Sequence, residues 1–392
     1  MTELQLLRML RSTPEIFAAI ERASAAELQS QRQLRAEFSE DLVRAALAVH
    51  DARLKAAGRL PNSRQLWLTR TGLEQSTAWP IALHKARRFA GCATITDLCC
   101  GVGIDAAALA GQAPVQAIDL SDAMAQRAEW NAELLGATAH VAGTVADVTA
   151  RHWSGMVVHA DPDRRAGRDR PVKRLEQYQP GLDWMQQLTQ TATAGALKIS
   201  PAANFQQKFP GCEIELVSLE GECREATVWF GAFAGNAPFR ATLLPSGETI
   251  AASPLSAWAP LAAQADLLLL DPDPSIVRAG LIDVLAEQHS LQRLDPEEEY
   301  LTAAEIPQTG FTAAFQVHAV LGANPRDLRK YLREHPASEY EILCRRIPTD
   351  ADALRRQLPA GDGPPAAIII CRIAGRARTV VASRVRRAAT PE

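Results

Sequence analysis

Four carboxylates mark the places where this sequence could do chemistry. Asp97, Asp119, Asp147 and Asp161 each follow a short apolar run of the kind that forms a buried strand. A carboxylate accepts hydrogen bonds from sugar hydroxyls and from exocyclic amines. We therefore expect a ligand that offers several such donors, bound where consecutive strands end.

The turn after Asp97 predicts that this ligand is nucleotide-like. Gly101-Val102-Gly103 leads into an Ala-rich helix that begins near Ile104. Glycines let backbone N–H groups approach a ligand closely, and the start of a helix presents unpaired donors. A Gly-x-Gly sequence alone is a weak signal, because glycines also serve ordinary tight turns.

The acids further along the chain indicate which groups of the ligand are bound. Asp119 ends the predicted strand Val115–Asp119 and is placed to accept both hydroxyls of an adenosine ribose. Asp147 can accept the exocyclic amine of adenine, although an acid at a strand end is often only a helix N-cap. The full set predicted to bind the cofactor is Asp97, Cys99, Gly101, Gly103, Asp105, Asp119, Leu120, Asp147, Gln75 and Ser76.

Nicotinamide enzymes share this type of turn, since Gly101–Ala106 also fits their Gly-x-Gly-x-x-Ala form. Two features argue against that class. The fourth strand runs into Asp161-Pro162, and Glu213–Leu219 with Ala226–Ala232 predicts an antiparallel hairpin. A reversed terminal strand on an otherwise parallel sheet is typical of class I S-adenosylmethionine (SAM) methyltransferases.

Over most of its length the chain resembles the bacterial THUMP-like-domain family of class I SAM-dependent methyltransferases. The resemblance implies an α/β fold, with a Rossmann-like sheet of seven strands whose last strand is antiparallel, and SAM as cofactor. THUMP domains usually accompany RNA-modifying enzymes, so an RNA partner is implied by association only. The matching segments are Gly72–Thr77, Asp97–Gly103, Asp161–Arg165, Gly221–Glu225, Asp271–Pro274 and the C-terminal segment from Phe311.

The domain organisation follows from length and pattern. The 392 residues, 47% apolar and 22% charged, have globular values, and such a length usually divides into two or three domains. Helical periodicity, which includes Leu28, predicts a helical N-terminal domain. Gln75, Ser76 and Thr77 are either lid residues over the cofactor or plain helix caps. The predicted parts are the helical domain 1–77, the methyltransferase domain 78–235, a linker or small subdomain 236–310 and a THUMP-like α+β domain 311–392.

Composition also bears on location and partners. No apolar segment is long enough for a membrane span, and an N-terminus with Glu3 and Arg8 lacks the apolar core of a signal peptide, so we expect a cytoplasmic protein. The seven cysteines are odd in number and predict reduced, buried thiols. Adjacent Cys99 and Cys100 have no metal-ligand spacing, and we expect no metal.

The loop after the fourth strand predicts the chemistry. Asp161-Pro162-Asp163-Arg164 is similar to the Asp/Asn-Pro-Pro-aromatic loop, in which the acid and the next carbonyl steer an exocyclic amine toward the methyl group. Asp161, Pro162 and Arg164 form the predicted catalytic set, and Asp161 positions the acceptor. Because Asp163 replaces the second proline and Arg164 the stacking aromatic, adenine-N6 methylation is disfavoured.

The same loop also resembles the Asp-Pro-Pro-Arg loop of uracil-C5 RNA methyltransferases. Those enzymes attack the base with a cysteine after strand five, where this chain has Ser200-Pro201. The covalent route is therefore disfavoured, and a nitrogen or oxygen acceptor is favoured. We expect transfer to nitrogen in tRNA or rRNA. Alternatives are methylation of a small anionic metabolite and a catalytically silent RNA-binding protein that retains SAM.

Clustered arginines indicate an anionic substrate. The set predicted to bind substrate is Arg165, Arg168, Arg170, Arg376 and Arg378. Arginines near the Asp161 loop either contact phosphate or pair with Glu176. The last two belong to a basic tail that includes Arg387, and with Arg326, Arg329, Lys330, Arg333, Arg345 and Arg346 this tail predicts a phosphate-binding face. Solvated surface arginines are the alternative, and the oligomeric state stays open.

Overall fold

The computed structural model describes residues 1–23, 34, 36–165, 167–168, 170–359 and 361–386. Leu28 of the helical pattern and Arg387 of the basic tail lie outside these residues. The chain divides into two compact units, Met1–Glu213 with Glu225–Asn236 and Ile214–Arg224 with Ala237–Glu392. The four-part division expected from the sequence stays a prediction.

The first unit begins with helices that pack through leucines at helical spacing. These helices are α1 (Glu3–Ser12), α2 (Glu15–Ala23), α3 (Glu40–Ala56), α4 (Arg70–Gln75) and α5 (Trp79–Ala86). Thr2 starts α1 with a capping box, because its hydroxyl accepts from the Gln5 N–H while the Gln5 side chain accepts from the Thr2 N–H. Leu7 and Leu10 of α1 pack with Val43 and Ala46 of α3 in one buried cluster.

The rest of the first unit alternates strands and helices. In chain order its elements are β1 (Ile95–Leu98), α6 (Ile104–Leu109), β2 (Val115–Asp119), α7 (Asp122–Leu134), β3 (Val141–Val145), β4 (Val157–Ala160), α8 (Leu182–Thr191), β5 (Ala194–Ile199) and, from Glu225 on, β7 (Glu222–Gly231). The strand that precedes β7 in the chain, β6 (Glu213–Leu219), belongs to the second unit from Ile214 on. The strand order within this unit is β3-β2-β1-β4-β5-β7. All neighbours are parallel except β7, which runs antiparallel to β5. The reversed strand confirms the predicted class I methyltransferase fold.

The strand order reverses between β1 and β4, which is where open parallel sheets bind ligands. In that register Asp97 of β1 lies opposite Ala117 of β2 on one side and His159 of β4 on the other. Since the carboxyl ends of parallel strands meet at one edge, Asp97, Asp119 and Asp161 converge there. The topology therefore explains why the acids at three strand ends share one site.

The second unit contains the remaining strands. Its parallel β6 and β8 (Phe239–Leu244) are followed by antiparallel β9 (Glu248–Ala252). Its other elements are β10 (Leu268–Pro272), α9 (Pro274–Ala279), α10 (Ile282–Gln288), β11 (Gln292–Arg293), β12 (Leu301–Ala303), β13 (Thr312–Gly322), α11 (Pro325–Glu334), β14 (Tyr340–Cys344), α12 (Ala351–Arg355), β15 (Ala366–Ile373) and β16 (Arg376–Arg384). Seven of these strands form a sheet of order β11-β12-β10-β13-β16-β15-β14.

This sheet gives the Asp271-Pro272 segment a structural role that the sequence did not reveal. Both residues pair with β13, across the predicted boundary at 310/311. Arg345 donates to Asp271 Oδ1 at 2.8 Å and to the Pro272 carbonyl at 3.0 Å, and Arg345 also donates to Glu299 at 3.0 Å. The segment thus anchors the residue after β14 to β10.

Several expectations about composition can be compared with the described residues. All seven cysteines are free, but only Cys100 and Cys371 are buried and the other five are half-buried. Within the described parts, no helix has the length and apolarity that crossing a membrane requires. The same residues contain no group of three or more His, Cys, Asp or Glu side chains suited to holding a metal ion.

Candidate active site

The carboxyl edge of the first-unit sheet opens into a cavity of about 540 Å³. This size lies within the range of small-molecule sites, roughly 300–1,000 Å³. The cavity is lined by all the predicted cofactor residues and the three predicted catalytic residues: Gln75, Ser76, Asp97, Cys99, Gly101, Gly103, Asp105, Asp119, Leu120, Asp147, Asp161, Pro162 and Arg164. The sequence pattern therefore locates one continuous surface.

The turn after β1 has a backbone that needs glycine. Gly101 has φ 52° and Gly103 has φ 79°, and Cys99, at φ 59°, adopts the same left-handed region without being glycine. A Cβ on Gly103 would lie 2.4 Å from the Cα of Ala128, whereas one on Gly101 would meet no heavy atom within 4 Å. Gly103 thus lets α7 pack against the turn, and Gly101 leaves open space beside the cavity.

Asp119 is held by the turn that it faces. The Gly101 N–H donates to Asp119 Oδ2 at 3.0 Å, and the Ser121 N–H donates to Oδ1 at 2.9 Å. Burial raises the pKa of Asp119 above its ordinary value, although these N–H groups lower it. Each carboxylate oxygen keeps a further lone pair for a ligand hydroxyl. The geometry therefore suits two vicinal hydroxyls, as in a ribose.

Asp97 is paired with His159, a residue that sequence reasoning missed. Asp97 Oδ1 lies 2.6 Å from His159 Nδ1, and the two side chains are 1% and 0% exposed. Burial raises the pKa of Asp97, while His159 lowers it. Among the described residues, Asp97 Oδ2 and His159 Nε2 have no hydrogen-bond partner, and both side chains line the cavity.

Asp147 fits both of the roles that the sequence left open. Its Oδ1 accepts from the Thr149 N–H at 2.8 Å and from the Thr149 hydroxyl at 2.7 Å, which caps a short helical turn. These hydrogen bonds lower the pKa of Asp147, which is exposed. Its Oδ2 has no partner in the described part of the chain. Asp147 can therefore cap the turn and still face a ligand amine.

Asp105 lines the cavity, but its carboxylate is occupied. Thr77 donates to Asp105 Oδ2 at 2.6 Å, and Lys85 Nζ lies 2.9 Å from Oδ1. Lys85 also lies 2.8 Å from Glu225, so one buried cation holds two buried acids. Burial raises the pKa of Asp105 and Lys85 lowers it, with a net fall. For Asp105 this favours a structural role over the predicted cofactor contact, and buried Thr77 belongs to the same cluster.

Lys198 is the second residue that the sequence did not indicate. It lies in β5, where every side chain is buried, and its Nζ lies 2.7 Å from Asp161 Oδ2 and 2.9 Å from the carbonyl of Gln75. Asp161 is 30% exposed and Lys198 10%. Among the described residues, Asp161 Oδ1 has no partner. One oxygen of the predicted acceptor residue is therefore fixed and the other is free to accept.

The end of α4 is fastened to the Asp161 loop. Gln75 Nε2 donates to Asp163 Oδ1 at 2.7 Å, and Arg165 pairs with Glu74 at 2.7 Å. Ser76 caps α4, because its hydroxyl donates to the Leu73 carbonyl at 2.9 Å, so the capping alternative describes Ser76. Gln75 and Ser76 both line the cavity as well.

The arginines after Asp161 differ in their partners. Arg165 is engaged by Glu74 and is thus less suited to the predicted substrate contact, and exposed Arg168 lies 3.5 Å from Gln177 Oε1. Exposed Arg170, and Arg164 in the cavity wall, have no ion-pair partner in the described residues. The predicted alternative of pairing with Glu176 is not seen for these four. Glu176 pairs instead with Lys208 and Arg174.

In the second unit, too, some of the basic residues form ion pairs and others do not. Arg345 and Arg346 pair with Glu299 at 3.0 Å and 2.6 Å, so they are not free for the predicted phosphate-binding face. Six cations of the predicted phosphate-binding face have no ion-pair partner among the described residues: Arg326, Arg329, Lys330, Arg333, Arg376 and Arg378. Leu328 and Leu332 turn one face of α11 into the core, which leaves its basic residues on the opposite face.

Comparisons with known proteins identify the family. A THUMP domain-like family model matches residues 312–384. An uncharacterized S-adenosylmethionine-dependent methyltransferase from two strains of Mycobacterium tuberculosis is 34% identical over 342 residues, which cover 82% of this chain and 90% of that protein. The chain belongs to the THUMP-like class I SAM-dependent methyltransferases. This methyltransferase also shares the fold of a crystal structure from Porphyromonas gingivalis W83, described as a "putative methyltransferase", with TM-score 0.77, 19% identity and coverage of 95% and 99% of the two chains.

SAM is the cofactor of this family, and the cavity fits it. Asp119 has two carboxylate oxygens that suit a pair of vicinal hydroxyls, and Asp147 has an oxygen that can accept from an amine; both residues line the cavity. The glycine turn leaves space at Gly101, and two buried acceptor atoms at Asp97 and His159 lack donors among the described residues. The donor-rich, positively charged SAM matches this set of acceptors in chemistry and sign.

Proposed function

We propose that this methyltransferase transfers the methyl group of SAM to a nitrogen atom in RNA, with tRNA or rRNA as the substrate. The observation that carries the proposal is the arrangement around Asp161. Asp161 lines the cavity, Lys198 holds its Oδ2, and its Oδ1 has no partner among the described residues. A fixed carboxylate oxygen can accept a hydrogen bond from an amine and orient its lone pair. SAM supplies the activated methyl group.

In this kind of methyl transfer, the main catalytic task of the protein is to align the acceptor nitrogen with the methyl group. The reaction is an in-line displacement, so placing the acceptor nitrogen opposite the leaving group provides most of the rate. Asp161 orients the amine, and its negative charge stabilises the positive charge that develops on the nitrogen. Buried Pro162 stiffens the loop, since its ring fixes φ. Loss of the amine proton to solvent then completes the reaction.

The thiols near the cavity support a nitrogen acceptor over carbon. The residue after β5 is Ser200, which cannot serve as the cysteine nucleophile of C5 methylation. Burial, followed by nearby carboxylates, raises the pKa of Cys99 and of Cys100 well above the ordinary value. Both therefore stay protonated thiols near neutral pH, and neither is an activated nucleophile.

An RNA substrate is supported by cations in each unit that have no ion-pair partner in the part of the chain that the structure describes. Arg164 places one such guanidinium in the cavity wall, in the loop that begins at Asp161. In the second unit, Arg326, Lys330 and Arg333 follow one another at helical spacing along α11. Lysine and arginine side chains that neutralise phosphates provide the sequence-independent part of nucleic-acid binding. The THUMP-like match covers this helix. The cytoplasmic location stays a prediction.

The decisive experiment follows a labelled methyl group. Purified protein with methyl-labelled SAM is incubated with RNA from cells that lack the protein, and in parallel with a metabolite extract of the same cells. We expect label in RNA with the wild-type protein and none with Asp161→Ala. Label only in the metabolite extract would replace RNA with a small anionic acceptor held by Arg164. No label in either would favour a silent RNA-binding protein.

A further inference from the structure

Two buried polar atoms in the cavity lack partners among the described residues, and they belong to side chains that bond to each other. Asp97 Oδ2 and His159 Nε2 have no hydrogen bond, while Asp97 Oδ1 and His159 Nδ1 lie 2.6 Å apart. Leaving buried polar atoms unpaired is unfavourable, because they lose their hydrogen bonds to water without replacement. Both residues line the cavity, so a bound ligand is the natural source of partners.

The tautomer of His159 follows from this pair. When the Asp97 carboxylate accepts the proton on Nδ1, the neutral ring carries a lone pair at Nε2. Asp97 Oδ2 and His159 Nε2 are then two neighbouring acceptors. A single ligand group that satisfies both must donate at least two hydrogen bonds. A carboxylate could satisfy only a protonated Nε2, and it would bring a like charge toward Oδ2.

The neighbouring charges favour a cation at this place. Asp105 and Asp161 lie near Asp97, and each already has a lysine partner, Lys85 or Lys198. Among the described residues, the one ionisable partner within ion-pair distance of Asp97 is the imidazole of His159. The pair therefore presents an uncompensated negative charge in a buried setting, where a ligand ammonium would be held strongly.

We propose that His159 Nε2 and Asp97 Oδ2 together bind the amino group of the cofactor's methionine portion, with His159 as a binding residue that nothing in the sequence motifs indicates. This inference rests on the proposed cofactor site. His159 thereby has two functions: it orients Asp97 through Nδ1 and accepts from the ligand ammonium through Nε2. A purely structural histidine would perform only the first.

The test uses a variant that separates the two functions. In His159→Asn the amide group can replace the Nδ1 donor to Asp97 but has no atom at the position of Nε2. Binding is measured by calorimetry with three probes. S-adenosylhomocysteine carries the amino and carboxylate groups, decarboxylated SAM carries only the amino group, and methylthioadenosine carries neither. We expect a 5- to 20-fold loss of affinity for the first two probes and less than a two-fold change for methylthioadenosine.

The outcomes are distinguishable. If the wild-type protein does not bind S-adenosylhomocysteine, the cofactor site itself is wrong. If the wild-type protein binds and His159→Asn binds all three probes equally well, the inference about His159 is overturned. A loss for S-adenosylhomocysteine but not for decarboxylated SAM would assign the ring to the carboxylate and also overturn it. His159→Gln, which can place an amide oxygen near Nε2, should retain more affinity than the Asn variant and serves if that variant does not fold.

Discussion

The ion pair between Lys198 and Asp161 gives the most quantitative test of the acceptor site. Removing one partner of a buried ion pair costs about 3–5 kcal/mol. Asp161 is 30% exposed, so water offsets part of this loss, and about 1.5–3 kcal/mol is the appropriate range for a charge-assisted hydrogen bond. If the pair acts in the transition state, Lys198→Met should lower kcat by about 10- to 150-fold.

The assay is single-turnover transfer of labelled methyl, together with calorimetric binding of S-adenosylhomocysteine. Lys198→Met should leave that affinity within a few-fold, and adding it to Asp161→Asn should lower the rate little further, because the two residues act as a unit. Lys208→Met is the matched control, since Lys208 pairs with Glu176 outside the cavity lining. An unchanged rate in Lys198→Met would show that the ion pair does not act in the transition state, and a loss of cofactor affinity equal to the loss of rate would assign Lys198 to cofactor binding instead.

Three further predictions concern the turn, the ribose site and the cavity cation. Gly103→Ala should lower the free energy of unfolding, measured by urea titration, by about 2–4 kcal/mol, because left-handed backbone strain adds to overpacking against Ala128. Gly101→Ala should lower it by only about 1–2 kcal/mol, because only the backbone strain applies there. Equal losses in the two variants would contradict this prediction. Because burial raises the pKa of Asp119, its carboxylate gains a proton at a higher pH than an ordinary aspartate, and affinity for S-adenosylhomocysteine should fall as the pH falls through that pKa. Asp119→Asn should remove that part of the pH dependence, and identical pH profiles would exclude the explanation. Arg164→Ala should raise KM for RNA without changing cofactor affinity, and an unchanged KM would remove Arg164 from substrate binding.

The strand-end acids show what sequence alone can predict. Asp97, Asp119 and Asp161 each follow an apolar run, and in a parallel sheet the carboxyl ends of such runs meet at one edge. Local pattern and topology therefore place these side chains together before any contact is known. The glycine turn is equally local, because φ above zero at Gly101 and Gly103 depends on a few neighbouring residues.

His159 and Lys198 could not be assigned in the same way. Each lies inside an apolar strand and is far from its partner in the chain. His159 is 62 residues from Asp97, which lies on β1, and Lys198 is 37 residues from Asp161, which follows β4. Only the strand order brings β1, β4 and β5 side by side. A signal was nevertheless present, since a lone ionisable residue in a fully buried strand needs a partner of opposite charge or a ligand.

Asp105 shows the converse limit. Its position after the glycine turn fits a cofactor contact, but Lys85 and Thr77 occupy its carboxylate from α5 and the residues before it. The pairing depends on how α5 packs against α6, which no local motif specifies. The Asp271 segment shows the same limit. Its partner Arg345 lies 74 residues further along the chain, so no local motif could indicate the pair.

Calorimetric titration with S-adenosylhomocysteine shows whether the acids at the strand ends form one adenosyl-binding cavity. We expect one binding site per chain in the wild-type protein. For Asp119→Asn we expect a loss of about 1.5–3 kcal/mol, or about 10- to 150-fold in Kd, because charge-assisted hydrogen bonds to the ribose are lost. No binding heat from folded wild-type protein, or equal affinity in the variant, would contradict these expectations.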